Sequence, residues 1–597
     1  MRDFSPTTSF MPPFSGLGDL PPAVLQAIFS EAEAGAHTIR SINRGLKDFY
    51  DQSNTTLVIG SSSRSSYPSN MGQRIARIIQ SSKALESVTV RVRRGPSHPP
   101  VAFQIASALT ALKGLRALCL PNNDLGPDHA APLAHYLKSM PGLDTLDLSS
   151  NNLGSAGAEC LPGVLEALTG LESLDLSGNK LGPDGVASLA PSFSMLTRLR
   201  ALAMSNNGLG PSGALCMAAV LTVLTGLQML DLSSNNMGFS GARSLAPPLM
   251  ALTGLGVLRL SGNDFGYDAA ESLAPSLKAL AKLTELNLSC NELGKFGAYL
   301  LVPALLTLTE LKTLDLSFNS LEETGITYLA KPLLALTRLQ SLNLSHNNMG
   351  PEGASFFASS LVVLTGLHTL QLSHNELGKA GMKSLAPSLK ALSKLQMLDL
   401  SFNHMGPAGM STLVPSLAAL IGLKSLNLSL NSMGPRGALS LAAALVALSR
   451  MGRLDLSRNE IGSAGAASLA PSLMALTELH SLDLSNNDMG LAGASSLAPS
   501  LMALSGLQML DLSLNSLGPA GAASLAPSLM ALTGLHSLVL KSNALGPTGA
   551  SCLAPSLMNM SGLHTLDLTY NDLGMSGAST LQDALEALTG LENLRIY

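Results

Sequence analysis

Residues 507–534 read LQMLDLSLNSLGPAGAASLAPSLMALTG. Leu510 and Leu512 stand two apart, the spacing of a short strand with one buried face. Asn515 follows, with an amide that can turn inward and bond backbone groups of neighbouring segments where the chain leaves the strand. The remainder, LGPAGAASLA, sets apolar residues at helical spacing behind a glycine-rich turn. The same pattern returns every 28 residues without insertion or deletion. Its first leucine falls at Leu115, Leu143, Leu171, Leu199, Leu227 and onward to Leu591, Met451 being the one substitution, which makes 18 copies of LxxLxLSxNxLGxxGAxxLAPSLxALTG. A weaker copy, LESVTVRV, precedes them from Leu85.

Repetition at a fixed period means stacked units sharing one continuous core. Strands stack about 4.8 Å apart, whereas packed helices need about 8 to 10 Å. The mismatch predicts an α/β solenoid bent into a horseshoe, with an inner parallel sheet and outer short helices. Proline recurs at one position in ten copies, at Pro191, Pro247, Pro275, Pro303, Pro387, Pro415, Pro471, Pro499, Pro527 and Pro555. A proline deep inside a helix costs about 3 kcal/mol, so each is expected to open a second short helix and leave the outer helix broken or kinked.

Composition agrees. Aromatic residues make up 4% of the chain and Trp is absent, so the core must be aliphatic. A formal net charge of −4 lacks the polybasic footprint of a nucleic-acid binder. No apolar run reaches the roughly 18 to 20 residues of a membrane span. A soluble intracellular protein, in cytoplasm or nucleus, is expected. The five cysteines are odd in number and scattered, which disfavours a disulfide framework. Cys160, Cys216 and Cys552 share one repeat position and read as small buried side chains. There is no P-loop, GxSxG elbow, HExxH or CxxC, so a non-catalytic chain without cofactor or metal is expected.

The repeat resembles the leucine-rich repeat, specifically its 28-residue ribonuclease-inhibitor-like class, over roughly residues 85 to 597. Before it stands LGDLPPAVLQAIFS, residues 17–30. Leu25, Ile28 and Phe29 form one apolar stripe there, and Ile39, Ile42, Leu46 and Phe49 a second at helical steps. This stretch resembles an F-box, whose pattern is roughly LPxxVLxxIF followed by a second helix, although Asn43 and Leu46 stand where Cys and Trp are usual. The resemblance implies docking on a Skp1-like adaptor of a cullin-based SCF-type ubiquitin ligase through Leu20, Pro21, Val24, Leu25, Ile28, Phe29, Ile39, Ile42 and Leu46. The alternative is a helical cap over the first repeats, which would leave a binding scaffold or inhibitor without a ligase role. The GAxxLA motif also resembles the GALA-type effectors that plant-pathogenic bacteria inject into host cells; in that case the host cell is the place of action.

The expected organisation is a disordered segment 1–16, an F-box-like helical segment 17–52, a transition with degenerate first repeats 53–112, and the repeat domain 113–597. The sequence ends in LRIY, inside a strand and without a polar capping repeat; either self-association protects that edge or the sequence is incomplete. Reading the repeats by column locates a candidate surface. The fifth position gives Asp147, Asp175, Asp231, Asp315, Asp399, Asp455, Asp483, Asp511 and Asp567, with Asn287, Asn343 and Asn427 between. Such an acidic stripe is either the ordinary wording of the repeat or an attractor for a basic partner. The eighth position turns bulky from Phe318 through His346, His374 and Phe402 to Leu430. With Met397 from the third position, these residues are a candidate hot spot for an unknown protein target. Two histidines without a carboxylate or thiolate set make a poor zinc site. His368, His480, His536 and His564 share the second position and read as solvated edge residues.

Overall fold

The computed structural model describes residues 47–50, 56–60, 76, 79, 85–91 and 101–596. The chain forms two compact units, Met1–Gly208 and Leu209–Tyr597. In the first, β1 (Lys47–Tyr50) runs antiparallel to β2 (Thr56–Gly60). β2 then pairs in parallel with β3 (Ser87–Arg91), which pairs with β4 (Ala117–Cys119), and the parallel run continues through Thr145–Asp147 and Ser173–Asp175 to Ala201–Ala203. Phe49 therefore belongs to a strand, opposite Val58, and not to a helical stripe. The β-branched segment TLVIG offers a ladder that Lys47–Tyr50 takes up in place of a helix weakened by Gly45. The other residues of the F-box resemblance, Leu20 to Leu46, lie outside the described residues.

The second unit repeats a single rung. Three-residue strands from Met229–Asp231 to Asn593–Arg595 pair in parallel and in sequence order, each residue opposite the one 28 positions on, as Leu398 is opposite Leu426. In nearly every strand the central leucine is buried, and in most its two neighbours are half-buried, so one sheet face meets the leucine core and the other meets solvent. Helices of 12 to 14 residues return the chain from one strand to the next.

All ten recurrent prolines lie inside continuous helices; Pro471, for example, lies in Gly462–Leu473 and Pro527 in Gly518–Ala531. The expected break is absent because each proline sits on the exposed face. The carbonyl deprived of its donor, four residues back, belongs to an equally exposed residue such as Ala467, where water replaces the lost bond. One rung does break, into Gly154–Ala158 and Pro162–Ala167. There the proline stands one position earlier, so the deprived residue is the buried Ala158, and Gly163 follows.

Two polar ladders tie the rungs together. The asparagine after each strand is wholly buried. Asn291 Nδ2 donates to Leu260 O of the preceding rung at 2.9 Å and to Leu288 O at 3.1 Å, and its Oδ1 accepts the amide of Asn263 at 3.1 Å. Identical bonds run through Asn319, Asn347, Asn375 and beyond, as the sequence pattern led us to expect. The second ladder was not anticipated. The serine after the recurrent proline is buried, and in several rungs its hydroxyl donates to a carbonyl of the preceding helix: Ser500 Oγ to Ala470 O at 2.6 Å, Ser528 Oγ to Ala498 O at 2.6 Å, Ser556 Oγ to Ala526 O at 2.7 Å. The APSL wording thus adds a bond from each such serine to the helix of the preceding rung, across the rung boundary.

Candidate functional site

The eighth-position side chains leave the chain just after each strand, from residues in the left-handed region: Phe318 at φ 56°, His346 at 57°, His374 at 53°, Phe402 at 56° and Leu430 at 56°. The same backbone at every rung points the side chains the same way. The four rings consequently form one face-to-face stack. Phe318 and His346 have centroids 3.8 Å apart at 14°, His346 and His374 3.8 Å at 17°, and His374 and Phe402 3.9 Å at 12°. Since the rungs are about 4.8 Å apart, the rings lean or converge to close the gap that water would otherwise fill. Each stacked pair contributes about 0.5 to 1.5 kcal/mol beyond simple burial.

Phe318, at one end, is 49% exposed, while His346, His374, Phe402 and Leu430 are half-buried. Burial first, and His374 at stacking distance second, lower the His346 pKa from its ordinary 6.5 to about 4. His374 is also lowered, first by burial, against an opposing pull from Asp399. Both imidazoles are therefore neutral at pH 7, and His374 Nδ1 is buried without a hydrogen-bond partner. Among the described residues no group of three or more His, Cys, Asp or Glu is placed to hold a metal.

Sequence columns thus located a real stack but could not give its face-to-face geometry. Met397 is half-buried on the strand of Asp399. The sequence reading passed over His404, whose ring meets Phe402 edge-on at 5.8 Å from the tenth position. A column read at the tenth position would have found it.

The fifth-position carboxylates are half-buried, Asp567 fully so, and one oxygen of each closes the turn after the strand. Asp455 Oδ1 accepts the amide of Ser457 at 3.0 Å, Asp483 Oδ1 that of Ser485 at 2.9 Å, Asp511 Oδ1 that of Ser513 at 2.8 Å. Asn287 does the same for Ser289 at 2.9 Å, which explains why Asn and Asp alternate in this column. The second oxygen differs along the unit. Asp231 and Asp567 have arginines at 3.8 and 3.9 Å, and Asp315 accepts Asn343 Nδ2 at 3.2 Å. Asp455, Asp483 and Asp511, in register on adjacent strands, make no ion pair among the described residues. Burial first, and then Asp455 and Asp511 on either side, push Asp483 up to about 6.

The cysteines are free, and the three that share a repeat position are half-buried where burial was expected, because that position lies at the margin of the helix face; Cys290 is exposed. His480, His536 and His564 are exposed, and His368 is half-buried. No described helix is long and apolar enough to cross a membrane.

The leucine-rich repeat family model matches fifteen segments between residues 143 and 581, including 307–330, 336–358, 364–386 and 391–414, which carry the ring stack. Together they cover more than half of the chain. Among solved structures, an internalin from Listeria monocytogenes aligns at 20% identity over 64% of this chain and 92% of its own, with a TM-score of 0.41. The structure titled as a complex of TLR13 with ssRNA13 aligns at 21% identity over 82% of this chain and 65% of its own, with a TM-score of 0.40. No curated protein matches the sequence. The repeat register, the asparagine ladder and the family match lead to one conclusion: the chain is a leucine-rich repeat protein.

Proposed function

We propose that this leucine-rich repeat scaffold holds a protein target on its open sheet face, centred on the ring stack Phe318, His346, His374 and Phe402 with Leu430 beside it, and does no chemistry itself. The observation that carries the reading is the stack. Four uncharged rings, one of them half exposed, stand on successive rungs at a position where every rung before them places Ser, Gly, Asn or Cys. Nothing in the repeat requires a ring there, and aromatic side chains at a partly dry centre are what protein interfaces use as anchors.

The finer part of the proposal concerns residues 17–52. Their resemblance to an F-box would make the protein the target-recognition subunit of an SCF-type ubiquitin ligase, with Leu20, Pro21, Val24, Leu25, Ile28, Phe29, Ile39, Ile42 and Leu46 on a Skp1-like adaptor. The work would be proximity, bringing a bound target to a charged conjugating enzyme. GALA-type repeats extend the proposal to delivery into a host cell. Capture of purified Skp1-type adaptor by the full chain, and its loss in a Leu20→Ala, Pro21→Ala double variant with an unchanged melting curve, is the expected result. No capture by either protein, with the variant melting lower, would leave a binding scaffold whose first residues are a cap.

A further inference from the structure

From the charge pattern beside the stack we infer that the target presents a basic segment to this face, with apolar residues over the rings and Lys or Arg over Asp455, Asp483 and Asp511. The inference rests on the reading of the ring stack as a target-binding centre and adds the chemistry of the partner.

Along the fifth-position column, the repeat partners some of its acids from within the chain. Arg259 stands beside Asp231, Arg595 beside Asp567, and Asn343 donates to Asp315. Three successive rungs are left out. Asp455 is opposite Asp483 and Asp483 opposite Asp511, so three half-buried carboxylates follow each other at about 4.8 Å. Arg453 and Arg458 lie on the rung of Asp455 and are exposed, yet neither forms an ion pair with it. The turn needs only one oxygen of each carboxylate, and Asn meets that need at Asn287. Three charges in a row are therefore a burden that the fold does not ask for and that an incoming cation relieves.

The distances suit one short segment. Phe318 to Phe402 spans three rung steps, and two more reach Asp455. From Phe318 to Asp511 the span is seven steps, about 34 Å at 4.8 Å each, which an extended segment of about ten residues covers. A helix would need about 23 residues to cover the same span, so a short segment reaches both the rings and the carboxylates only when it is extended.

The test is selection of random twelve-residue peptides displayed on phage against the intact chain, with counter-selection on two variants. One is Phe318→Ser, Phe402→Ser; the other is Asp455→Asn, Asp483→Asn, Asp511→Asn, which keeps the turn acceptor used naturally at Asn287. A cooperative melt above the selection temperature and a circular dichroism spectrum matching the parent establish that both fold. The expected result is a set of peptides enriched in Lys and Arg that need the rings and bind the triple Asn variant about tenfold more weakly, with the difference shrinking as salt is raised. Peptides that need the rings but carry no basic enrichment, or bind the triple Asn variant equally well, would overturn the inference and leave the target-binding centre standing. A selection that yields no ring-dependent peptide would overturn both.

Discussion

Replacing Asn291 by alanine should cost about 4 kcal/mol, far more than a typical polar substitution. The side chain is wholly buried. It donates to Leu260 O at 2.9 Å and Leu288 O at 3.1 Å and accepts the amide of Asn263 at 3.1 Å. Each neutral bond contributes about 1 kcal/mol net. Leu260 O and Leu288 O keep second donors in Asn263 and Asn319, so the group left without a partner is the Asn263 amide, which adds about 1 to 3 kcal/mol. Leu260 O and the Asn263 amide belong to the neighbouring rung, so the damage falls on the joint between rungs and not within one. In a stack stabilised by nearest-neighbour joints, such a lesion should also broaden or split the unfolding transition. Asn287→Asp in the same rung is the control: its required acceptor survives, and Arg259 and Asp315 sit on the flanking strands, so a change within about 0.5 kcal/mol is expected. Urea unfolding followed by circular dichroism gives the free energies, and hydrogen exchange at the Asn263 amide reports the specific bond. A loss below about 1 kcal/mol, or unchanged protection of that amide, would refute the idea that the asparagine ladder joins the rungs.

Three further outcomes follow from the same geometry. Gly518 has φ +65° with nothing within 4 Å of an added Cβ, so Gly518→Ala should lose about 1 kcal/mol from backbone strain alone; Glu322, at the equivalent position with φ 60°, should gain about 0.5 kcal/mol on Glu322→Gly despite losing its exposed pair with Lys295, and thermal melts of both variants test the opposite signs. Ser500→Ala removes the hydroxyl held by Ala470 O and should cost about 1 to 2 kcal/mol with faster exchange at the C-terminal turn of Gly462–Leu473, whereas equal protection there would show that water serves as well. His346, lowered to about 4, makes stability that is complete above pH 6.5 and lost as pH falls toward 4, while Asp483, raised to about 6, makes stability that is lost as pH rises from 3.8 to 6; His346→Phe and Asp483→Asn should therefore tilt the stability profile of that window in opposite directions, and equal profiles would contradict both assignments.

The fold was legible because every rung states the same thing. Leucine spacing gave the strands, and the asparagine after each strand could be assigned its ladder from chemistry alone. Proline misled because its cost depends on which carbonyl it deprives. Pro471 deprives an exposed one and is harmless, Pro162 a buried one and breaks the helix, and the two differ by a single position in the repeat. The serine ladder stayed hidden for a related reason: an APSL serine looks like any small polar residue until the neighbouring helix is seen to hold a carbonyl within reach of its hydroxyl. At the candidate site, columns identified Phe318, His346, His374 and Phe402, but stacking at 3.8 Å depends on a left-handed backbone conformation shared by all four, which the residue names do not display.

That shared conformation bears on how such a scaffold acquires specificity. A residue in the left-handed region ordinarily carries a cost, and the repeat accepts it at the eighth position of every rung, whether the residue is Ser, Leu or Phe. The cost is thus fixed by the fold and is indifferent to the side chain. The core leucines, the asparagine and the turn acceptor are constrained by bonds to neighbouring rungs, whereas the eighth position is constrained only in backbone. Side chains there can vary from rung to rung without disturbing a joint, and equal side chains on successive rungs stack in register. A ring stack across four rungs therefore requires only local substitutions in a scaffold already paired by its strands and asparagines. The second carboxylate oxygen of the fifth position has the same freedom, since the turn occupies only the first. These two columns carry the variation that the fold does not need, so they are the places where recognition can be encoded without loss of stability.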